Sequence, residues 1–502
     1  MNHRERNTLF CKQGSAVRSK WGNLFGENRF WTIDGSNTNV YLLPIRLTMI
    51  YLVASVLIYA FGPFEWVTYT PVLFYALLVL YMVGLWLGYR VGLMRHFPHA
   101  IEWKDTHTDR AMPLLSALVV INFAVYVINI FRDYGLTTLD FLELFKQMAV
   151  GIQNPGLGYN LRLVRLEIFQ GSDVIGGTAF SLFNYLWAFV RYPILIFSML
   201  YFNRMKLYGR IFTVINLVVT VLFYLSIGTN IDFFQVFLLL VLAPILSTFN
   251  SWHEGKVAKK KILKFLACIM AALILIGCYF TWMMVSRGGI NSYDQPDYNV
   301  SGVPLDDGVV GDHQETGDSS QQDSNSIGLQ VPPVVMKFWI SFSAYLSQGY
   351  YGMSQGLTLP WTPMLGAGNS MFLVDFISEH IYDIDQFTYQ VKIEEAYGWE
   401  SDMRWHSMYT WLANDVSFYG VVVIMFLIGV LFAMMFKDAI TTKNPLAKAS
   451  IFYFVLLVLF IPCNNQLAQR AETMLSFLLL VWCWLLTKHP PKFVRKIFSK
   501  CS

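Results

Sequence analysis

Long apolar runs, separated by short basic stretches and two long polar ones, set the pattern of this chain. Runs of a length to cross about 30 Å of hydrocarbon fall at 43–61, 71–89, 112–131, 180–202, 211–227, 231–248, 265–284, 411–436, 449–463 and 472–487. The ninth is short and needs flanking residues or little tilt to span. The pattern predicts an all-α polytopic membrane protein of ten spans. Two further stretches, 334–358 (amphipathic and aromatic) and 364–381 (partly apolar), read as re-entrant pieces or as another pair of spans, which would make twelve.

The basic residues orient the spans. With the N-terminus inside, 26 of the 37 lysines and arginines fall on the cytoplasmic side, as the positive-inside bias requires. Both termini are then cytoplasmic. Residues 1–42 form an N-terminal segment with Arg4, Arg6, Lys12, Arg18, Lys20 and Arg29 ahead of a retained first span, and 488–502 a basic tail. Spans one to three occupy 43–131, four to seven 180–284, and eight to ten 411–487. Two large loops face outward, 132–179 and 285–410.

In the first loop, Leu139, Leu142, Phe145 and Met148 recur at helical spacing, as in a helix lying in the membrane interface. Beyond the turn Asn154-Pro155-Gly156, Arg162 and Arg165 stand three apart on one helical face. The second loop opens with Asn291–Ile327, which has eight carboxylates and neither lysine nor arginine. This part buries no core and reads as disordered or as a flexible lid.

Composition agrees with the pattern: 55% apolar residues, 14% charged and a mean hydropathy of +0.44 exclude an ordinary soluble domain. The six cysteines, Cys11, Cys268, Cys278, Cys463, Cys483 and Cys501, show neither a disulfide framework nor a metal-ligand spacing. The basic clusters read as topology determinants, not as a nucleic-acid surface.

Candidate chemistry gathers where the second loop enters the eighth span, Asp402 to Gly420. Arg404, His406, Tyr409, Asn414, Asp402 and Asp415 crowd one short segment, and polar groups at that depth are costly unless paired or used. His406 titrates near neutrality and is the natural proton acceptor. If the segment is helical, Asp402 and Tyr409 lie about one turn to either side of it. Asp415, deeper, is placed to pair with Arg191 or Arg470. Arg191 interrupts the fourth span, where a central arginine costs roughly 2.5–3.5 kcal/mol; it needs a polar cavity or an acid. Arg470 lies at the outer mouth of the last two spans. Guanidinium groups clamp phosphates bidentately without a metal, and a lipid pyrophosphate is the phosphate most available there. Tyr350, Tyr351 and Trp361, among glycines and amides, suit a shelf on which sugar rings stack, or an ordinary interfacial aromatic belt. No phosphate loop, HExxH or GxSxG is present.

At two of these stretches the chain resembles the O-antigen polymerase (Wzy), or oligosaccharide repeat unit polymerase, family. One is Ala344-Tyr345-Leu346-Ser347-Gln348-Gly349-Tyr350-Tyr351-Gly352-Met353-Ser354, leading to Gly366-Ala367-Gly368-Asn369-Ser370. The other is Trp405-His406-Ser407-Met408-Tyr409 through Asp415 and Phe418 to Gly420. The layout of spans and outer loops extends the likeness over most of the chain; the acidic part of the second loop has no counterpart in it. The resemblance implies a metal-independent, cofactor-free membrane glycosyltransferase of GT-C-like architecture in the bacterial inner membrane, with its site facing the periplasm. It would move a growing glycan from undecaprenyl pyrophosphate onto the next lipid-linked repeat unit in surface polysaccharide synthesis, with a chain-length regulator as a partner. Implied roles are His406 and Asp402 in catalysis, Arg191, Arg404, Arg470, Arg165 and Arg162 on the pyrophosphate, and Tyr350, Tyr351, Trp361 and Tyr409 on the glycan. The competing readings are an O-antigen ligase-type transferase and a flippase or other transporter of lipid-linked oligosaccharide. A transporter would distribute polar groups along a whole path through the spans.

Overall fold

The computed structural model describes residues 38–95, 103, 105–168, 175, 177–229, 231–254, 333–401, 404–442 and 444–491, with residues 263, 267, 269, 270, 273, 274 and 277–283. All regular structure among them is helical. We number the helices α1 (Thr38–Phe61), α2 (Pro71–Met94), α3 (Asp105–Asp133), α4 (Phe141–Gln153), α5 (Pro155–Ile168), α6 (Gly177–Leu200), α7 (Leu207–Ser226) and α8 (Ile231–His253). After these come α9 (Pro333–Gly356), α10 (Met371–His380), α11 (Tyr389–Tyr397), α12 (Met408–Thr441), α13 (Pro445–Phe460) and α14 (Ala471–Lys488).

Among the described residues, 8 helices are long and apolar enough to cross a membrane: α1, α2, α3, α6, α7, α8, α12 and α14. The chain is therefore an α-helical multi-pass membrane protein. The expected ninth span corresponds to α13, an apolar helix of 16 residues, about 24 Å long at 1.5 Å per residue. The expected seventh lies largely outside the described residues, as do the acidic stretch 291–327 and both termini. Of the two extra stretches, 364–381 contains only the ten-residue α10, about 15 Å long and too short to cross.

Polar contacts show which helix ends lie together. Lys437 Nζ donates to the Leu93 carbonyl at 2.9 Å, Lys488 meets Asp438 at 2.5 Å, Arg204 meets Asp109 at 3.4 Å, and Tyr41 bonds His253 at 3.2 Å. These contacts join the ends of α2 and α12, α12 and α14, the turn after α6 and the start of α3, and α1 and α8. We call this the basic end. The opposite end, which carries the connector 461–470, is the cleft end.

The central seam is α2 against α12. Gly84, Gly88 and Gly92 recur every fourth residue, so they form one stripe along α2. A Cβ at Gly88 would stand 1.9 Å from the Phe426 carbonyl oxygen, and one at Gly429 2.2 Å from that of Leu85. Between membrane helices, where burial in lipid gives no hydrophobic drive, such backbone contact is what holds a pair together. Tyr81, Tyr89 and Phe432 complete the seam; the Tyr81 hydroxyl donates to the Phe418 carbonyl at 2.6 Å. Ser417, at φ 61° and ψ 165°, breaks α12 into a short piece over 408–416 and a long one from Phe418. That conformation costs a non-glycine residue about 1–3 kcal/mol.

The short piece anchors everything layered on the cleft end. Asn414, fully buried, accepts from the Tyr389 amide at 2.8 Å and donates to the Gly368 carbonyl at 2.7 Å and to Gln390 at 3.0 Å. Asp415 was expected to pair with Arg191 or Arg470. Instead its carboxylate accepts from the backbone amides of Gly366, Gly368 and Asn369 at 2.8–3.0 Å and from the Asn369 side chain at 2.7 Å. Four donors converging within one turn leave that carboxylate no arginine to seek.

The amphipathic segment of the first loop is α4, capped by Asp140, which accepts from the Glu143 amide. Its Leu142 and Phe145 are exposed while Leu144 and Met148 pack inward, as expected of an interfacial helix. Gly151 of α4 and Gly158 of α5 let both helices lie on the last turn of α7: a Cβ there would meet the Ser226 carbonyl oxygen at 1.9 and 2.2 Å. That crossing brings α5, and Arg162 with it, toward the end of α3.

Candidate functional site: an arginine-lined cleft

Arg191 stands fourteen residues into α6, about 21 Å along its axis, yet it meets the first turn of α14. Its guanidinium bonds Glu472 at 3.2 Å and lies 4.9 Å over the Tyr126 ring. The connector 461–470 is therefore recessed: α6 rises several turns past it and walls a cleft that opens at the cleft end. The shortness of α13 and α14 creates the recess. Arg470, preceding α14, lines this cleft of about 240 Å³ with Tyr185, Phe372, Phe376, Asp375 and Glu379. Asp133, at the end of α3, interacts electrostatically with Arg162, Arg191, Arg470 and Glu472. Of the expected phosphate-binding arginines, Arg470 lines this cleft beside Asp375, Glu379 and Glu472, Arg191 reaches its edge through Glu472, and Arg162 lies within electrostatic range of Asp133.

Below Arg191 a second, nearly closed cavity extends between α3, α6, α7 and α8, lined by Asn122, Asn216 and Gln235. The sequence offered a signal for these, since each is an amide flanked by apolar residues inside an apolar run. Asp133, Tyr185 and the acids of α10 carried none.

The remaining expected residues lie elsewhere. Arg404 pairs locally, with Nε 3.7 Å from Glu400 and the guanidinium 5.4 Å from the Trp399 ring. The side chain of Arg165 and all of Asp402 lie outside the described residues. His406 shares the cleft end with Arg191, because its neighbour Met408 bonds the Ile461 carbonyl at 3.0 Å and Ser407 bonds that of Gly349 at 3.2 Å. It does not line the cleft. Only 2% of His406 is exposed, and a Cβ added to Gly352 would sit 3.1 Å from its Nδ1. The helix expected to carry it with Asp402 and Tyr409 on one face does not form: 405–407 is irregular, and Ser407 caps α12 by accepting from the Thr410 amide. Neither ring nitrogen makes a hydrogen bond of good geometry among the described residues. Burial pushes the imidazole down to about 4, against smaller opposing effects from the Glu400 backbone and the Glu394 carboxylate. At neutral pH it is uncharged.

The aromatic residues divide the same way. Tyr350, Tyr351 and Tyr409 are fully buried: the Tyr350 hydroxyl bonds Ser55 at 2.9 Å, Tyr351 stacks on Trp66 at 4.9 Å, and Tyr409 packs on Tyr81 at 4.5 Å. Trp361 is 44% exposed and donates to the Asn414 carbonyl at 3.1 Å. Exposed rings beside the arginines are those of Tyr185 and Phe376.

The arrangement can hold a polyanion against fixed guanidinium groups at a depth where solvent screening is weak, with ring faces at its rim. No protein-family model, curated protein or solved structure matches the chain.

Proposed function

We propose that the protein polymerises lipid-linked oligosaccharide repeat units, transferring the growing glycan from undecaprenyl pyrophosphate to the next lipid-linked unit. The observation that carries this reading is that Arg470 lines a cleft recessed among membrane helices, with the Arg191–Glu472 pair at its edge and Arg162 in electrostatic range of the neighbouring Asp133. The basic end supplies the orientation: set at the cytoplasm by the positive-inside bias, it turns the cleft toward the periplasm of a bacterial inner membrane. A lipid diphosphate has its tail in the bilayer and its charge at the recess.

In the transfer, an acceptor hydroxyl oxygen bonds to the anomeric carbon as the bond from that carbon to the pyrophosphate oxygen breaks. The bonding electrons leave with the diphosphate, and the hydroxyl proton goes to a base. Arg191 and Arg470 stabilise the charge that grows on the leaving group; Glu472 holds Arg191 in place meanwhile. His406 is unprotonated at neutral pH, the form a base requires, but it is walled from the cleft. The reading therefore rests on the arginines. Tyr185, Phe376 and Trp361 are the rings exposed to sugars.

The test is complementation of a polymerase-deleted strain, scored by surface-polysaccharide ladders. Wild-type chain restores the ladder, and Arg191→Ala or Arg470→Ala at normal protein level leaves single capped repeats. Full ladders from both variants remove the phosphate clamp. The polar cavity below Arg191 favours transport as a second reading, since it carries polar groups deeper into the spans. Chain elongation by purified protein in detergent, where no gradient exists, separates the two.

A further inference from the structure

Three buried side-chain amides line the small cavity below Arg191, and the NH₂ group of each finds no partner among the described residues. Asn122 and Asn216 are each 1% exposed and Gln235 2%. The Asn122 oxygen accepts from Trp187 Nε1 at 2.9 Å; an indole nitrogen only donates, so the amide orientation is fixed and its Nδ2 must point away. The Gln235 oxygen is taken by the Tyr192 hydroxyl and the Asn216 oxygen by Thr220 at 3.5 Å. Asn122 Nδ2, Asn216 Nδ2 and Gln235 Nε2 find no hydrogen-bond partner among the described residues. A buried donor left unmet costs about 1–3 kcal/mol, so three around one void demand an occupant. The void holds about 30 Å³, room for one or two particles the size of water.

The lining selects the occupant's chemistry. An amide NH₂ can only donate, and Arg191 on the same wall can only donate; Glu472 takes its Nη1 from the cleft side. A single water there has three amide donors competing for its two lone pairs and leaves one unmet, even though its own protons find acceptors in the Tyr126, Thr220 and Tyr224 hydroxyls or the second lone pair of an amide oxygen. A small monovalent anion accepts from all of them and is offset by the guanidinium. We infer that this cavity is a binding site for one halide-sized anion, chloride in the cell, held by Asn122, Asn216, Gln235 and Arg191. The site shares Arg191 with the proposed transfer reaction, but its three amides take no part in that reaction and it needs no lipid substrate.

Crystals of the full chain grown in sodium bromide, with data collected at the bromine edge, provide the test. The expected result is one anomalous peak in this cavity, within hydrogen-bonding distance of the three amides. In parallel, thermal unfolding of the wild type is followed with chloride, bromide or gluconate at equal ionic strength. The midpoint should rise with chloride and bromide and stay flat with gluconate, and Asn216→Leu/Gln235→Leu should weaken the halide dependence roughly tenfold. The wild-type anion series stands if that variant fails to fold. Oxygen density with no anomalous peak, together with equal midpoints in chloride and gluconate, overturns the site and assigns the cavity to water.

Discussion

The Glu472 carboxylate, in the first turn of α14, bonds the Arg191 guanidinium midway along α6 at 3.2 Å. This pair ties the recessed connector to the wall of the cleft, and both members are only partly buried. Removing either should leave a poorly solvated charge. Arg191→Ala and Glu472→Ala are each expected to lower unfolding stability by about 1–3 kcal/mol, less than for a fully buried pair. The double variant should lose less than the sum. A thermal or denaturant double-mutant cycle in detergent measures the coupling, and additive losses would dissolve the pair.

His406 gives a pH signature. Its folded value is near 4, below the usual value near 6.5, so the unfolded chain binds the extra proton first. Its contribution is constant above about pH 6.5 and is lost as pH falls from there toward 4, by at most ~3 kcal/mol. Stability measured across that window should fall more steeply for the wild type than for His406→Gln. Parallel profiles would mean that the imidazole is already solvated in the folded chain.

The α2–α12 seam predicts a steric lesion. Gly88→Leu places a side chain where the Phe426 carbonyl stands 1.9 Å from the new Cβ, and overpacking of even ordinary cores costs about 1–3 kcal/mol. Folded yield by size-exclusion chromatography should collapse, whereas Leu87→Val, on the exposed face of α2, should leave it unchanged.

Asp415 should govern the loop above it. Asp415→Ala removes the acceptor of four hydrogen bonds, of which those to a charged group are worth about 1.5–3 kcal/mol each before compensation by water. Hydrogen exchange at Gly366–Asn369 is expected to accelerate strongly while the amides of α2 stay protected. Unchanged exchange at that loop would deny Asp415 its anchoring role.

How far these features were legible depends on the kind of signal each residue leaves. Arg191 was readable because a charge in an apolar run demands a partner, and Arg470 because it borders two spans. Their convergence with Arg162 was not readable, since it depends on α13 and α14 being short and on two glycines that seat α4 and α5 on α7. The helical face proposed for Asp402, His406 and Tyr409 failed locally: Ser407 caps α12, so the periodicity starts at Met408, two residues after the histidine. Tyr350 and Tyr351, like Trp361, read as a shelf for sugars or an interfacial aromatic belt, whereas glycines and aromatics together also describe the tight seam in which the two tyrosines are buried. Hydropathy counts length but not depth, so it left 364–381 open as a re-entrant piece or a span, and the ten residues of α10 are too few to cross. Asn122, Asn216 and Gln235 left the faintest trace, an amide flanked by apolar residues in each run.

The most direct test of the arginine cleft is binding of undecaprenyl pyrophosphate to the purified chain in nanodiscs, compared with undecaprenol. The account predicts saturable binding of the pyrophosphate alone, weakened at least roughly tenfold by Arg470→Ala, a loss of about 1.4 kcal/mol, and again by Arg191→Ala. Equal affinity for the alcohol and the pyrophosphate, or full affinity in both arginine variants, would contradict it.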